Sequence, residues 1–418
     1  MADKTLTIGP FAGLNNRTER TRLKQPTKTD PRYELFDATN VDITDAGSIK
    51  SRPGYDLLRA GVCTALWGDD AVCYAVLDGT LYEVDGSLGL AEVSSVGDGP
   101  CCFWREHGVT YFGSQNITGQ IVDGALSALG IARPGNPPSI AVASGGGLYA
   151  GQYGVAYSTL GDDGNESGMS EPAWITLTTT GRIAVTGLPD TGLRTNIYAT
   201  ATNGETFYRV ATLAASDTAH TLTAIRSALP AQNMGIYPAP VGAHALCLYR
   251  GVLYLAIGDL VFPSEPLTYG WWRPDKYLKP PSKALHILPV TDGIFFACTD
   301  QLVFMAGTAP GDFSQLFVQK CAPIAGTQAD LRGHQVGANG AAKWSIATDR
   351  GLLYLYDGGQ ITNQTEMLDI PASVQGGAAL RDYGGEQHLT TSFQPKSGFG
   401  FRENWTVNIT YNGLPVKE

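Results

Sequence analysis

Leu285-His286-Ile287-Leu288-Pro289-Val290, then Thr291-Asp292-Gly293, Ile294-Phe295-Phe296-Ala297-Cys298, Thr299-Asp300 and Gln301-Leu302-Val303-Phe304-Met305-Ala306 read as three apolar strands joined by two tight turns. The runs are too short and too β-branched or aromatic for helices, and Asp-Gly suits a two-residue hairpin. Working outward, the same unit recurs four more times. The copies are Thr64–Trp67, Ala71–Val76 and Thr80–Asp85; Cys101–Trp104, Val109–Phe112 and Gln120–Asp123; Ala245–Tyr249, Val252–Ile257 and Leu260–Phe262; and Trp344–Ala347, Leu352–Tyr356 and Gln360–Thr362. Each middle strand carries an aromatic signature: Tyr74, Tyr111-Phe112, Tyr254, Phe295-Phe296 and Tyr354. A weaker sixth copy spans Ala378–Arg381, Gln387–Phe393 and Trp405–Tyr411.

The first strands begin near positions 64, 101, 245, 285, 343 and 378, so most steps lie near 40 residues. That is the period of a propeller blade. A lone unit cannot bury both faces, whereas blades packed in a ring can, and they leave only short edges exposed. The expected fold is therefore all-β, a β-propeller of about six blades. The alternative is a set of hairpins in a β-sandwich.

The step from 101 to 245 holds roughly 100 residues beyond a blade's need. It is bracketed by Arg133-Pro134-Gly135-Asn136-Pro137-Pro138 and Tyr237-Pro238-Ala239-Pro240, flanks typical of a domain boundary. Its short alternating runs, among them Gly151–Leu160, Thr195–Thr200 and Phe207–Leu213, predict an inserted fibronectin- or immunoglobulin-like sandwich. Residues 1–60 are polar and proline-punctuated and read as an extended arm, with one strand in Leu35–Ile43. The expected order is an arm (1–60), a first propeller segment (61–132), the insert (133–240) and a second propeller segment (241–418).

Composition fits: Gly makes up 51 of 418 residues and charged residues only 16%. The net charge of −10 disfavours sequence-independent nucleic-acid binding. The seven cysteines are odd in number and lack Cys-x-x-Cys, which reads as buried free thiols. Neither a signal-peptide pattern nor a membrane-length apolar run occurs, so assembly in a reducing cytoplasm is expected.

Motifs for chemistry are sparse. The six histidines are scattered, with no His-Glu-x-x-His, Walker A or Gly-x-Ser-x-Gly pattern. Gly145–Ala150 matches G-x-G-x-x-A formally but leads into a strand, where a dinucleotide fold needs a helix. Asp162-Asp163-Gly164-Asn165-Glu166 lacks the ligand spacing of a calcium loop and reads as a solvated hairpin tip. No catalytic, cofactor or metal-binding residue is assigned.

Two segments read as contact surfaces. One is the arm, whose Arg17, Arg20, Arg22 and Lys24 lead six basic residues against two acids between 17 and 32. The other is Trp271-Trp272-Arg273, in a run read as a loop; these residue types mark interface hot spots, or else cap the protein's own core.

Several stretches resemble propeller-type virion structural proteins of tailed bacteriophages, the tail-hub ("stabilisation") and nozzle proteins. They are Phe11-Ala12-Gly13-Leu14-Asn15-Asn16, Asp37–Asp42, Gly47-Ser48-Ile49, Ser51-Arg52-Pro53-Gly54-Tyr55, Ser264-Glu265-Pro266, Pro289–Phe295, Gly307–Pro310 and Gly326-Thr327. Gly164–Ser167, Ser170-Glu171-Pro172 and Asn196-Ile197-Tyr198 resemble fibronectin-like modules of such proteins. The resemblance implies a non-enzymatic, cofactor-free virion component: a homo-oligomeric ring, typically sixfold, around the DNA channel, with portal or adaptor proteins and tail-fibre or tail-tip proteins as neighbours. The chain is short for a nozzle, and similar propellers of long-tailed phages sit at tail tips or decorate surfaces. From Gly61 to Gly135 nine acids face two basic residues. In a ring, Asp69, Asp70, Asp78, Asp85 and Asp98 are then expected to line the channel and repel phosphates. The competing functions are a glycan-binding adhesin using Trp271-Trp272 and, less favoured, a glycan hydrolase.

Overall fold

The computed structural model describes residues 9–38, 41–43, 47–51, 59–225, 229–334, 336–337, 340–365, 368–383, 386–395 and 405–410. The fold is all-β and multi-sheet; helical geometry among the described residues is limited to short 3-10 turns, such as those at Arg20–Arg22 and Asp357–Gly359. Contacts gather the chain into two units, 61–278 and 1–60 with 279–418.

Within 61–278, Cys63–Gly68, Cys73–Leu77, Thr80–Val84 and Leu90–Ser95 form a four-stranded antiparallel meander. A second meander comprises Cys102–Glu106, Val109–Gly113, Thr118–Val122 and Ala125–Ala128, and a third Ala245–Tyr249, Val252–Ile257, Leu260–Glu265 and Thr268–Trp272. The hairpins close where the sequence supplies left-handed backbone. Asp78-Gly79, His107-Gly108, Asp123-Gly124 and Arg250-Gly251 all have positive φ at both positions, the geometry that matches strand twist in a two-residue turn. The first two meanders share a core of Tyr74, Val76, Leu81, Phe103, Phe112 and Ile121, capped by Trp67 stacked on Phe103 with ring centroids 5.6 Å apart.

Between the second and third meanders lie two other sheets. Ser139–Leu148, Gly181–Thr186 and His220–Leu222 form one; Ala173–Leu177, Gly151–Leu160, Arg194–Thr200 and Phe207–Leu213 form the other. Both feed one apolar cluster, with Leu148, Ile183, Val185 and Leu222 from the first and Tyr153, Val155, Tyr157 and Ile197 from the second. Alternation explains it: Arg182, Ile183, Ala184, Val185 and Thr186 run exposed, buried, half-buried, buried, exposed.

In the other unit, Ala284–Val290, Gly293–Cys298, Leu302–Ala306 and Ser314–Gln319 form a fourth meander. Ala329–Asp330, Trp344–Thr348, Gly351–Leu355 and Ile361–Asn363 form a fifth, and Ser373–Tyr383, Glu386–Pro395 and Trp405–Thr410 a three-stranded sheet. Tyr354, Leu352, Leu331, Leu389 and Phe393 fill the core beneath the last two. Two links tie the fourth meander to the fifth and to the segment leading into it: Trp344 Nε1 donates to the Pro289 carbonyl at 2.7 Å, and buried His286 Nε2 lies 3.0 Å from the Ile324 carbonyl.

The repeat differs from its sequence reading in one respect: a fourth strand completes each of the first five sheets of the repeat. The three-strand unit left Leu90–Ser95, Ala125–Ala128, Thr268–Trp272 and Ser314–Gln319 as connections. Apart from buried Trp272, these outer strands are half-exposed or more, so they lack the apolar run that marks the inner ones. Trp271 and Trp272 accordingly sit in a strand rather than a loop. In the fifth sheet the extra strand, Ala329–Asp330, lies on the other side, against Trp344–Thr348. The single strand expected in Leu35–Ile43 is instead the ends of two strands in different pairs: Tyr33–Leu35 runs parallel to Phe11–Leu14, and Val41–Ile43 antiparallel to Ile49–Ser51. Residues 39–40 and 52–55, and the end of the sixth copy at 411, lie outside the described residues.

All seven cysteines are free thiols; Cys102, Cys247, Cys298 and Cys321 are buried and Cys63 is exposed. Burial pushes the Cys101 and Cys298 thiols up to about 11 and Cys321 up to about 12. Since the thiolate is the reactive form, a raised pKa and burial act together against modification. A thiol-disulfide reagent at pH 8 is expected to titrate Cys63 rapidly, Cys73 and Cys101 slowly, and the four buried thiols only in denaturant. Fast reaction of more than three thiols in the native protein would contradict this packing.

Candidate functional site

The densest polar assembly in 61–278 is built around Glu166, in the segment following the strand Gly151–Leu160. One carboxylate oxygen, Oε1, accepts hydrogen bonds from Ser158 Oγ, Tyr198 OH, Asn196 Nδ2 at 2.9 Å and Asn233 Nδ2 at 3.2 Å. Thr212 Oγ1 donates to Asn196 Oδ1 at 2.6 Å and so orients the Asn196 amide. Asn233 Nδ2 also donates to the Ser167 carbonyl at 2.9 Å, so flipping this amide would lose both bonds. Burial, then the Glu166 carboxylate beside it, raises the Tyr198 phenol far above its ordinary pKa and keeps it a donor.

The next residues continue the anchor. Ser167 Oγ accepts from Thr159 N at 2.9 Å, and Ser170 Oγ from Tyr157 N at 3.1 Å. These hydroxyls take the place of a pairing strand along Gly151–Leu160. Gly168 lies directly against the Ile236 carbonyl, and Met169 N donates to Asn233 O at 3.1 Å. Residues 231–237 are thereby pinned to the two-sheet segment.

The aromatic run completes the assembly from the third meander. Trp271 Nε1 donates to the Glu166 backbone carbonyl at 2.6 Å. Trp272 is 2% exposed, and its backbone pairs with Tyr237 through bonds of 2.9 and 3.0 Å. Arg273 donates to Glu265 Oε1 at 2.7 Å and to the Met234 carbonyl at 3.0 Å. Burial opposes ionisation of Glu265, but the hydrogen bonds and charges of Lys276 and Arg273 outweigh it and hold the carboxyl below its usual range. Arg133, at the other end of the two-sheet segment, donates to the Met169 carbonyl, to Tyr237 OH at 2.7 Å and to Glu171 at 2.6 Å. The structure thus brings Trp271, Trp272 and Arg273 together, and engages all three inside the unit.

Chemically, this is an anchor. Four donors crowd onto Glu166 Oε1 and share its two lone pairs, so that oxygen is spent on joining chain segments. The tip expected to be solvated is exposed from Asp162 to Asn165, while Glu166 at its end turns inward and is half-buried. Arg133, Ser158 and Asn233 were not singled out in the sequence. Only the charge of Arg133 in a proline-rich linker gave a signal; Asn233 is a lone amide in a long connection.

The five acids expected along a channel are turn residues. Asp69 Oδ1 accepts from Ala71 N and Val72 N, both at 2.9 Å, and its Oδ2 from Arg105 at 3.2 Å. Burial works against its ionisation, but these donors outweigh it and hold Asp69 below the usual carboxylate range. Asp85 accepts from Ser87 N at 2.7 Å and Gly89 N at 2.8 Å, and Asp78 from Val62 N at 2.8 Å. In a meander, alternate turns fall at opposite ends. Asp69, Asp70 and Asp85 therefore sit at one end of the first sheet, and Asp78 and Asp98 at the other.

In the arm, the basic residues meet partners of the same chain. Arg17 pairs with Asp369 at 3.0 Å, Arg22 with Glu19 at 3.7 Å and Lys24 with Asp30 at 2.7 Å, while Arg20 lies over the Phe36 ring at 4.4 Å. Arg32 first, then Lys24, hold Asp30 well below the usual carboxylate range. Asn15 and Asn16 fix the arm's course. Buried Asn15 donates to Glu34 at 2.9 Å, and Asn16 exchanges hydrogen bonds of 2.7 and 3.2 Å with the Asp369 backbone.

No family model matches the chain, and no curated protein matches it. Among solved structures it is similar to the extracellular domain of the B. thetaiotaomicron hybrid two component system BT4673, at 10% identity and TM-score 0.38, over 86% of this chain and 34% of that one. It thus spans about a third of that protein's length. BBS1N in complex with ARL6DN matches at 12% identity and TM-score 0.33, over 82% and 88% of the two chains. Kluyveromyces lactis Hsv2p matches at 8% identity and TM-score 0.29, over 85% and 99%.

Proposed function

We propose that this chain is a structural protein of a tailed-phage particle, a propeller-type component of the tail or head-to-tail junction that assembles as a ring and carries no catalytic duty. In this reading the meanders are blades and the two-sheet segment is a fibronectin-like insert. The observation that carries it is the succession of five four-stranded meanders, 63–95, 102–128, 245–272, 284–319 and 329–363, followed by the three-stranded sheet 373–410. Consecutive antiparallel four-stranded sheets are the unit of a propeller.

A second support comes from the motif residues. Asn15 and Asn16 pin the arm, Thr327 Oγ1 donates to the Ile324 carbonyl at 2.7 Å and accepts from Ala347 N at 3.1 Å, and Glu166 with Asn196 and Tyr198 builds the anchor. Residues that resemble phage virion proteins here do architectural work, which fits a scaffold. The glycan reading leaned on Trp271-Trp272 as an open aromatic surface, and both are engaged internally. In the proposed ring, the turn acids would border its two rims.

Quantitative mass spectrometry of purified particles tests the proposal. The chain is expected in the particle at a fixed ratio of about one half to the portal protein, six copies against twelve. A much larger ratio moves it to the shell or along a long tail, and absence from particles overturns the virion reading.

A further inference from the structure

Residues 9–38 of the arm are knit to themselves. Phe11–Leu14 pairs with Tyr33–Leu35, and Asn15 N donates to the Leu35 carbonyl at 2.7 Å. Glu34 Oε2 accepts from Asn15 Nδ2 at 2.9 Å and from Lys24 N at 3.1 Å, while Asp30 gathers Lys24 and Arg32. The half-buried rings find neighbours within the arm. The ring centroids of Phe11 and Tyr33 lie 6.3 Å apart, and the Arg20 guanidinium covers Phe36. Among residues 9–38 only Asn15 is buried, so no apolar side chain of this segment enters a core.

The surface it meets belongs to a separately packed piece. Asp369 is exposed, but Ile370 beside it is buried in the core beneath the fifth meander and the three-stranded sheet, and Leu368 N donates to the Thr365 carbonyl at 3.0 Å. A polar clasp joins the two pieces. Asn16 Oδ1 accepts from Asp369 N at 2.7 Å, Asn16 Nδ2 donates to the Asp369 carbonyl at 3.2 Å, and Arg17 pairs with the Asp369 carboxylate at 3.0 Å. The Arg17 and Asp369 side chains are 44% and 66% exposed. Water competes for such bonds and salt screens such a pair, so they hold less firmly than buried apolar contact.

We infer that residues 9–38 form a releasable strap: the clasp at Asp369 breaks and re-forms while the arm's own bonds and the core behind Ile370 stay intact. Proteins open locally in cooperative units, and the low-stability units are those with few buried apolar contacts and solvent-exposed hydrogen bonds. Opening frees Asn16 and Arg17 and bares the backbone at Asp369 without unfolding either piece. Because one ion pair of the clasp is exposed, rising ionic strength shifts the strap toward its open state. The device belongs to the single chain and does not rest on the virion reading.

Hydrogen exchange of the purified full chain, read at single residues, tests it. Three amides report separately: Asp369 N on the clasp, Asn15 N inside the arm, and Ile324 N, which donates to the Ala347 carbonyl, on the core. After correction for intrinsic rates, Asp369 is expected to be protected about tenfold less than Asn15 and about a hundredfold less than Ile324. Asp369→Asn removes the ion pair but keeps the backbone that Asn16 holds, and is expected to lower protection at 369 a further two- to fivefold, roughly the worth of an exposed pair. Raising salt to about 0.5 M should do the same to the unaltered chain, with Asn15 and Ile324 unchanged in both cases. Equal protection at the three positions, no response of residue 369 to either the substitution or salt, or loss of protection at Asn15 in step with 369 would overturn the assignment.

Discussion

Replacing Glu166 with alanine is expected to destabilise the 61–278 unit by about 3 kcal/mol, the cost of leaving several part-buried donors without their acceptor. Ser158, Asn196, Tyr198 and Asn233 all converge on its Oε1. Of these, Asn196 is fully buried and Asn233 2% exposed, so water cannot readily substitute. Glu166→Gln keeps one acceptor oxygen but adds an amide N–H₂ and removes the charge, and should cost about half as much. For a unit of this size the alanine variant should lower Tm by about 6–12 °C. Trp271, hydrogen-bonded to the Glu166 carbonyl, gives a local fluorescence signal for the same event. Equal losses in Ala and Gln, or a Tm change under about 2 °C, would show that the carboxylate does not hold the anchor together.

Gly168→Ala should be comparably damaging by a different mechanism, with a loss of about 3 kcal/mol through forced backbone displacement. A Cβ at this position would overlap the Ile236 carbonyl oxygen and stand 2.8 Å from its carbon. That neighbour cannot swing aside as a side-chain end can. Ile236 is buried, and the next residue, Tyr237, is bonded in both directions to Trp272. Gly135→Ala is the matched control: its Cβ would meet nothing within 4 Å, and its φ lies outside the left-handed region. The control should change stability by less than about 0.5 kcal/mol, or raise it slightly by reducing the freedom of the unfolded chain. Urea titrations of the two variants side by side decide the matter. If both behave alike, the close approach of residues 168 and 236 is not a constraint on this fold.

Pairing with a neighbouring strand, rather than burial of their own side chains, explains the strands that local reading overlooked. The inner strands were visible because both their faces are buried: Gly293–Cys298 and Gly351–Leu355 are buried at every residue and therefore read as continuous apolar runs. Outer strands obey no such rule. Ser314–Gln319 and Thr268–Trp272 are defined by hydrogen bonds to a neighbour, not by burial of their own side chains. The anchor was half legible. Glu166, Asn196 and Tyr198 drew notice through their motifs, and Trp271 through its residue type. Their convergence brings together positions separated by 30 to 105 residues, which no local window contains.

The sequence by itself determined the all-β class, the positions of the inner strands and the turns between them. Alternation, aromatic placement and Asp-Gly pairs are local properties, and hairpins form between neighbours in the chain. Only the tertiary structure decided which polar residues meet. It turned Glu166, at the end of an otherwise exposed tip, into a half-buried acceptor, gave the arm's Arg17 a partner in Asp369, and placed the turn acids at two ends of one sheet. A hydrogen bond or ion pair over such separations is fixed by how sheets and connections pack, and packing depends on the whole chain at once.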